Sequence, residues 1–223
     1  MRIHLLVAAA TALFALFAST ESHAAPHARD GFYVQMSTGI GVPFFSNTAH
    51  DPYYDPAIDY TDSRSGGSLG GSLLLGVPLR PGLALGVGGL VAVSAISAPK
   101  RTENGQPVTW EDSGGPYLQT LGVVGPFVDY YPSAALGWHV QALVGYASLG
   151  QGDVSTGAPS GIALMAGVGQ DWWVSDRWSV GFLARVTYAS THLAAQAYPE
   201  GGGMPSEHDT MLAPSLEVSF TFH

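Results

Sequence analysis

A strict alternation of apolar with small or polar side chains runs through Leu212-Ala213-Pro214-Ser215-Leu216-Glu217-Val218-Ser219-Phe220-Thr221-Phe222. A period of two is typical of a β-strand, because successive side chains of a strand point to opposite faces. The face that begins with Leu212 is apolar, and the other face carries Ala213, three hydroxyl side chains and the carboxylate of Glu217. The stretch therefore predicts a strand with one apolar face.

The same period recurs upstream, so that eight strands are predicted in all. Most of these strands have one apolar face and one face of glycine, serine and alanine. The fourth, 117–130, is ambiguous, because apolar residues occupy both of its faces. The seven upstream stretches are 31–42, 68–79, 85–94, 117–130, 138–146, 162–174 and 178–189.

The connections between these strands alternate in length. The long ones are 43–66, 98–115, 150–160 and 192–209, and the short ones are 78–82, 132–135 and 175–177. Short turns at one end and long loops at the other are typical of barrels in the outer membrane. We therefore expect an all-β fold, an eight-stranded antiparallel up-and-down transmembrane β-barrel with both chain ends on the periplasmic side.

Alternation alone does not say which face points outward, since a soluble barrel of the lipocalin kind alternates too. Composition favours a membrane barrel: hydrophobic residues make up 46% of the chain and charged residues 11%, against about 25% charged residues in ordinary soluble domains. The glycine, serine and alanine face would make a poor water-facing exterior but could fill a narrow lumen. The soluble barrel is kept as the alternative.

The N-terminus has the pattern of an export signal. Arg2 is followed by an apolar run from Leu5 to Phe17 and by small residues that end at Ala25. Residues 1–25 are thus predicted to be a signal peptide, and residues 26–223 the barrel domain. The chain has no cysteine for a disulfide or a thiolate metal site, and its net charge of -9 argues against a nucleic-acid partner. No cofactor is expected.

Aromatic residues are spaced as two girdles. Trp178 and Tyr188 lie ten residues apart on the same face, which is roughly 25 Å in height for a strand tilted by about 40°. This matches the apolar band between the two membrane interfaces. The predicted lower girdle contains Trp138, Trp172, Trp178, Tyr130 and Phe222, and the upper one Tyr146 and Tyr188.

With these features the chain resembles the small eight-stranded outer-membrane barrels of the OmpA and OmpX type. The resemblance covers nearly the whole mature chain and is most specific in the terminal strand Leu216–Phe222, which is followed here by His223. The segment from Asp171 to Gly181 also looks like a periplasmic hairpin of this family. The resemblance implies location in the cell outer membrane, contact with its lipid and lipopolysaccharide, and recognition of the terminal strand by the assembly machinery.

Two charged residues fall on the inward faces of adjacent predicted strands. Arg185 and Glu217 lie at similar heights, and an arginine in hydrocarbon near the midplane would cost roughly 2 to 4 kcal/mol, so an ion pair in the lumen is predicted. It could gate a narrow channel, or be a buried pair with a structural role. Asp171 is expected below Arg185, near the level of Gly181. The predicted lumen polar network contains Arg185, Glu217, Asp171, His139, Gln141 and Gln35.

Other candidate sites are weaker. Acidic residues of the first long connection, which could bind a divalent cation, lack the spacing of a calcium loop. Tyr53, Tyr54 and Tyr60 of that connection could serve adhesion. Ser190 and His192 are candidates for catalysis on lipid A, but their parity turns them toward lipid. His208 and His223 are expected to be solvated. The cation-binding candidates are Asp51, Asp55, Asp59 and Asp62.

The expected function is that of a non-enzymatic outer-membrane barrel. Its lumen is expected to be filled by side chains, as in other barrels of eight strands, and its acidic loops to face outward in an envelope-structural or surface-contact role. The alternative is a narrow channel or transporter for small or apolar solutes. A lipid A-modifying enzyme ranks last.

Overall fold

The computed structural model of the protein describes residues 31–51, 57–108, 117–133, 136–151, 158–194, 196–197, 203–204 and 206–223. The predicted signal peptide, residues 1–25, lies outside the described residues, as do Tyr53, Tyr54 and Asp55. The described part contains no helix of a length and apolarity that would cross a membrane.

Every regular element in the described residues is a β-strand. The strands are β1 (Tyr33–Gly41), β2 (Phe44–Asp51), β3 (Ile58–Arg80), β4 (Leu83–Ile96), β5 (Lys100–Glu103), β6 (Gln106–Val108), β7 (Tyr117–Tyr130), β8 (Trp138–Gln151), β9 (Ser160–Trp173), β10 (Trp178–Leu193), β11 (Gln196–Ala197), β12 (Gly203–Met204) and β13 (Ser206–Phe222).

The wall of the barrel is a closed antiparallel ring of eight strands. Strands β3, β4, β7, β8, β9, β10 and β13 pair in chain order, and β1 closes the ring by pairing with both β13 and β3. Strand β2 continues β1 beyond Val42 and Pro43 and pairs with the same two neighbours. Closure leaves no free sheet edge in the ring. The predicted eight-stranded up-and-down barrel is confirmed.

The apolar faces point outward. Large apolar side chains stand exposed along the wall strands, for example Ile40 with 65% and Leu216 with 66% of its surface exposed. A soluble barrel with a polar exterior does not fit this surface. In β7, whose facing the sequence left ambiguous, Gln119 and Asp129 are buried inside and Val124 is exposed outside.

Three of the predicted long connections contain strands, and the last of them, 192–209, holds β11, β12 and the start of β13. In the first, predicted as 43–66, β2 and the first part of β3 form a hairpin that raises the wall, with Phe44 paired to Ser65 and Asp51 to Ile58. In the second, β5 and β6 form a short hairpin on the edge of β3. The prediction of loops in these connections was wrong, because their strands are polar and lack the apolar alternation that marks the membrane-spanning strands.

The two ends of the barrel differ. The end that holds Gly31 and His223 has short turns, such as the one at Gly82, whose φ of 80° suits glycine. We call it the terminal end, and the opposite one the loop end. Near the loop end the outer face becomes polar above Phe44, Tyr188 and Leu212, which are paired in a row. The outward side chains between this row and the loop end include Ser46, Thr48, Thr61, Ser63, His192, His208 and Thr210.

The lumen has three layers. Polar side chains fill the half nearest the terminal end, and charged side chains line the mouth at the loop end. Between them lies an apolar layer whose members include Leu121, Leu143, Leu149, Met165 and Met211, each at most 3% exposed. The side chains that point inward therefore occupy the lumen, as expected for a ring of eight strands.

Candidate functional site

Arg185 is the hub of the polar half of the lumen. It points inward from β10 and is 3% exposed, and its partner on β9 is Gly167, whose missing Cβ leaves room for Cγ of the Arg185 side chain. Its Nη1 and Nη2 donate to side chains of four other strands. The acceptors are Glu217 Oε2 at 2.7 Å, Ser72 Oγ at 2.7 Å, Gln141 Oε1 at 2.8 Å, Ser37 Oγ at 3.0 Å and Gln35 Oε1 at 3.2 Å. This one side chain thus bridges the lumen.

Glu217 is the acid that balances Arg185. Its carboxylate accepts a hydrogen bond from Ser37 Oγ and one from Ser215 Oγ at 2.9 Å, in addition to the Arg185 bond. Charge-assisted hydrogen bonds of this kind are about twice as strong as neutral ones. The structure thus brings Arg185 and Glu217 together, as the sequence predicted, and adds the serine donors.

Asp129 is the acid that the sequence analysis missed. It has no exposed surface, and its carboxylate accepts hydrogen bonds from Tyr33 Oη, His139 Nδ1 at 2.9 Å and Gln141 Nε2 at 2.9 Å. The ambiguous facing of β7 concealed it. A usable signal was present, because an acid within an apolar strand of a membrane barrel must face the lumen to avoid hydrocarbon.

His139 lies between two carboxylates. Its Nδ1 contacts Asp129, and its Nε2 is 3.8 Å from Asp171 Oδ1. The ring stacks on that of Tyr131 with centroids 4.6 Å apart. Asp171 also accepts hydrogen bonds from Tyr131 Oη at 2.8 Å and Ser179 Oγ at 3.3 Å.

The contacts of Arg185 and those of Asp129 belong to one continuous network. Gln141 joins them, because its Oε1 accepts from Arg185 while its Nε2 donates to Asp129 and, at 2.7 Å, to Gln35 Oε1. Asp171 pairs with Gly181 in the wall, as expected, and the polar contacts of its carboxylate are with side chains below Arg185.

His223 is buried at the terminal end, and the expectation that it is solvated was wrong. It is 7% exposed, its backbone N–H donates to the carbonyl of Arg177 at 2.9 Å, and its Nε2 lies 3.1 Å from Ser179 Oγ. The ring packs 4.7 Å from that of Trp173. The residue continues the inward face of β13 by one position, which closes the lumen at this end. His208 is exposed, as expected.

The predicted cation-binding loop is not supported. Its three described acids do not converge: Asp59 is on the outer face beside His50, whereas Asp51 and Asp62 are on the inner face. The described residues include no group of three acid, histidine or cysteine side chains that could hold a metal ion. The hairpin geometry explains this, because residues of opposite parity diverge.

Asp62 is occupied by arginines. Arg101 donates to it through Nε at 2.8 Å and Nη2 at 2.7 Å, and Arg64 through Nη2 at 3.3 Å. Burial alone would raise the pKa of Asp62, but the hydrogen bonds and charges of the arginines outweigh burial and lower that pKa. The guanidinium of Arg101 also lies 4.1 Å over the ring of Tyr60, so Tyr60 faces the barrel mouth and not the outside.

The predicted girdle residues lie on the outer surface. Trp138, Trp172, Trp178, Tyr146 and Tyr188 are between 41% and 57% exposed. Phe222 is half-buried, because its ring meets that of Trp178 edge-on with centroids 5.2 Å apart. Indole and phenol side chains at these positions suit the membrane interfaces.

No protein-family model and no curated protein sequence matches the chain. Solved structures match it in fold. It is similar to the outer membrane protein OprG from Pseudomonas aeruginosa, with a TM-score of 0.51 and 11% identity over 90% of this chain and 100% of that chain. It is also similar to the outer membrane protein AlkL, studied in DMPC lipid bilayers, with a TM-score of 0.53 and 17% identity over 92% of this chain and 95% of that chain.

The outer membrane protease OmpT from Escherichia coli matches with a TM-score of 0.39 and 10% identity, over 92% of this chain and 100% of that chain. That likeness is too low to bear on activity. The fold of this chain is that of small β-barrel proteins of the cell outer membrane, and the apolar outer face of its wall suits the hydrocarbon of that membrane.

Proposed function

We propose that this protein is a closed, non-catalytic outer-membrane barrel whose wall serves envelope structure and whose loop end serves surface contacts. The observation that carries the proposal is the position of Arg185, whose guanidinium bonds to side chains of β1, β3, β8 and β13 across the lumen. An ion that crosses this layer would have to break several of those hydrogen bonds at once.

The energetics support a permanent plug. Removing one partner of a buried ion pair typically costs about 3 to 5 kcal/mol, because the other charge is left uncompensated. Opening the lumen by moving Arg185 aside would incur a comparable cost. The packed layer of Leu121, Leu143 and Met165 above it adds an apolar barrier to ions.

We propose a non-catalytic role because of where Ser190 and His192 lie. Both lie on the outer face of β10, where Ser190 pairs with Ile162 and Thr210, and His192 with Ser160 and His208. A serine nucleophile needs a base within hydrogen-bond reach and a group that orients the base. An unchanged mass spectrum of lipid A after expression of the protein would agree with this assignment, and a modified lipid A would refute it.

Membrane lipid, including lipopolysaccharide, is the proposed partner of the apolar outer face, and the outer-membrane assembly machinery that of β13. Outward side chains such as Leu216 and Phe220 support both proposals, because they are exposed and belong to the terminal strand. Replacement of Phe220 by Ser should lower the amount of folded barrel in outer membranes. The same change at Thr210, outside the apolar band, should not.

Planar bilayers test the closed-lumen proposal. The purified wild-type protein should give no stable conductance, whereas Arg185→Ala should give small, frequent openings because it removes the bridging guanidinium. Arg80→Ala, at an exposed terminal-end position, is the matched control and should remain silent. Stable wild-type channels would refute the plug.

A second candidate function is a narrow passage for small apolar solutes, favoured by the apolar layer between the charged mouth and the Arg185 network. Vesicles that contain the protein should then take up a small uncharged aromatic dye faster than empty vesicles. A polar side chain in that layer, such as Leu143→Asn, should slow the uptake. Equal rates with and without the protein would remove this candidate.

A further inference from the structure

A partly enclosed cavity of about 120 Å³ lies inside the barrel at the loop end. We call it the loop-end cavity. It is lined by inward-facing side chains of β2, β3, β5, β7 and β13, above the level of Leu212 and Tyr188 where the outer face turns polar. Its charged members are Asp62, Arg64, Arg101, Glu207 and Asp209.

The two arginines of the cavity are already engaged by an acid. Arg101 forms two hydrogen bonds to Asp62, and Arg64 forms a third. The hydrogen bond to Asp62 raises the pKa of Arg101, so this guanidinium stays charged. An anionic ligand would therefore have to compete with a buried carboxylate for Arg101 and for Nη2 of Arg64, whose Nε is buried without a hydrogen-bond partner among the described residues.

The other two acids share one weak partner. The amide Nδ2 of Asn47 donates to Asp209 Oδ1 at 2.8 Å and to Glu207 Oε2 at 3.3 Å. Asp209 is 5% exposed, and its Oδ2 is buried with no hydrogen-bond partner among the described residues. A buried carboxylate oxygen that lacks a donor is costly, and it marks the place where a ligand N–H would be stabilised.

The charges of the cavity do not balance. Three carboxylates against two guanidiniums leave a net charge of -1 when all are ionised. One added positive charge would neutralise the set. A divalent cation fits poorly, because it would lie beside two guanidiniums, and the described residues include no metal-binding group of three acids.

The size of the cavity limits the ligand. A volume of about 120 Å³ is several times the roughly 10 to 15 Å³ that one water molecule needs. An ammonium group with a short alkyl chain fits this volume. A quaternary ammonium has no N–H and would leave Asp209 Oδ2 without a donor.

We propose that the loop-end cavity binds a small organic cation that carries a primary ammonium group, whose N–H donates to Asp209 Oδ2 while Glu207 supplies a second negative charge. The site lies above the Arg185 network, so it does not depend on whether the lumen conducts. Binding of an organic ammonium ion would be a property beyond the proposed closed barrel and beyond the proposed passage for apolar solutes.

Protonation supplies an internal control. Burial raises the pKa of Asp209, and burial together with the charge of Asp209 raises the pKa of Glu207, against the opposing effects of Asn47 and Arg64. Asp62, Tyr60 and Arg101 face these acids inside the cavity, and the charge of His208, on the outer face, acts to lower the pKa of Asp209. Because a protonated acid cannot balance the ammonium, affinity should fall as the pH falls through these raised pKa values.

Calorimetric titration of the purified full-length protein in detergent tests the proposal. Ethylammonium chloride is titrated at constant ionic strength, with tetramethylammonium and Mg²⁺ as comparison cations. Wild-type protein should bind ethylammonium saturably, and at least about tenfold more tightly than tetramethylammonium, which cannot form the hydrogen bond. Absence of saturable ethylammonium binding, or tighter binding of Mg²⁺, would overturn the proposal.

Two variants make the assignment specific. Asp209→Asn should weaken ethylammonium binding at least about tenfold, whereas Asp59→Asn, which removes the same charge from the outer face, should leave it unchanged. Equal affinities in the two variants would overturn the proposal. If Asp209→Asn does not fold, Glu207→Gln replaces it with the same expected direction, and wild-type affinity that does not fall between pH 7 and pH 4 would count against the site.

Discussion

Arg185 Nη1 lies 2.7 Å from Glu217 Oε2 inside the lumen. The two residues are diagonal neighbours, because Arg185 pairs with Ser215 and Glu217 with Leu183 across β10 and β13. Ser37 and Ser215 hold the same carboxylate from either side. An ion pair with this many additional donors meets the condition under which a buried pair offsets the cost of its desolvation.

Loss of one partner of this pair should be far worse than loss of both. Arg185→Met should reduce the free energy of unfolding by about 3 to 5 kcal/mol, because Glu217 is left buried and unpaired. Glu217→Met should also cost stability, and the double variant Arg185→Met/Glu217→Met should recover part of the loss. Urea unfolding in lipid vesicles, followed by tryptophan fluorescence, measures the two single variants and the double variant. A double variant whose loss equals the sum of the single losses would show that the two residues are not coupled.

Asp129 should matter more for stability than a surface acid. Asp129→Ala removes the acceptor of hydrogen bonds from Tyr33, His139 and Gln141 at a site without exposed surface, so we expect a loss of about 3 kcal/mol or more. Asp59→Ala breaks the exposed contact with His50 and should cost at most about 1 kcal/mol. The same unfolding assay compares them, and equal losses would contradict the assignment of Asp129 to the network.

Two glycines of β7 should respond in opposite ways to replacement by alanine. A Cβ on Gly125 would collide with the backbone carbonyl of Val144 on β8, so Gly125→Ala must displace the wall. A Cβ on Gly122 meets nothing within 4 Å, and Gly122→Ala should stabilise the strand by about 0.5 to 1 kcal/mol. Thermal unfolding in detergent distinguishes the variants. A stable Gly125→Ala barrel would show that β7 and β8 can separate there at little cost.

The acid pair at the loop end should make stability depend on pH in one direction. The folded state raises the pKa of Asp209 through burial, so this group favours folding when protonated and loses that contribution as pH rises through the raised pKa. Asp209→Asn lacks the ionisation and keeps an acceptor for Asn47. The variant should be more stable than the wild type at pH 7, and the difference should vanish near pH 4. A constant difference between these pH values would contradict the pKa direction.

The loop-end arginine contact should respond to acid in the opposite sense. Although burial opposes it, the hydrogen bonds and charges of Arg101 and Arg64 lower the folded-state pKa of Asp62. Its stabilising contribution is therefore present above the unfolded pKa of about 3.9 and is lost as pH falls below it. Arg101→Gln should lower the free energy of unfolding at neutral pH. In this variant the remaining stabilisation by Asp62 should be lost at a higher pH than in the wild type. Unfolding midpoints of both proteins between pH 2 and pH 7 measure this shift. Parallel plots of midpoint against pH for wild type and variant would show that the arginine contact does not cause the acid dependence.

The alternation of side chains along each strand was sufficient to predict the wall of the barrel. From Leu212 to Phe222 of β13 and along most of β10, apolar side chains alternate with small or polar ones, so a period of two determined both the strands and their outer faces. The same parity placed Arg185 and Glu217 inside, since a membrane barrel excludes charge from its lipid face. In β7 the apolar residues occupy both faces, and parity alone could not place Asp129.

The sequence by itself determined the strand count, the apolar exterior and the inward direction of Arg185, Glu217, His139 and Gln141, because each follows from side-chain alternation along a single strand. Only the tertiary structure decided which of these residues touch. Gln141 joins Arg185 to Asp129, His223 closes the terminal end, and Asn47 meets Asp209 at the mouth. Such contacts depend on ring closure and on the register between neighbouring strands, and residues far apart in the chain meet only once both are fixed.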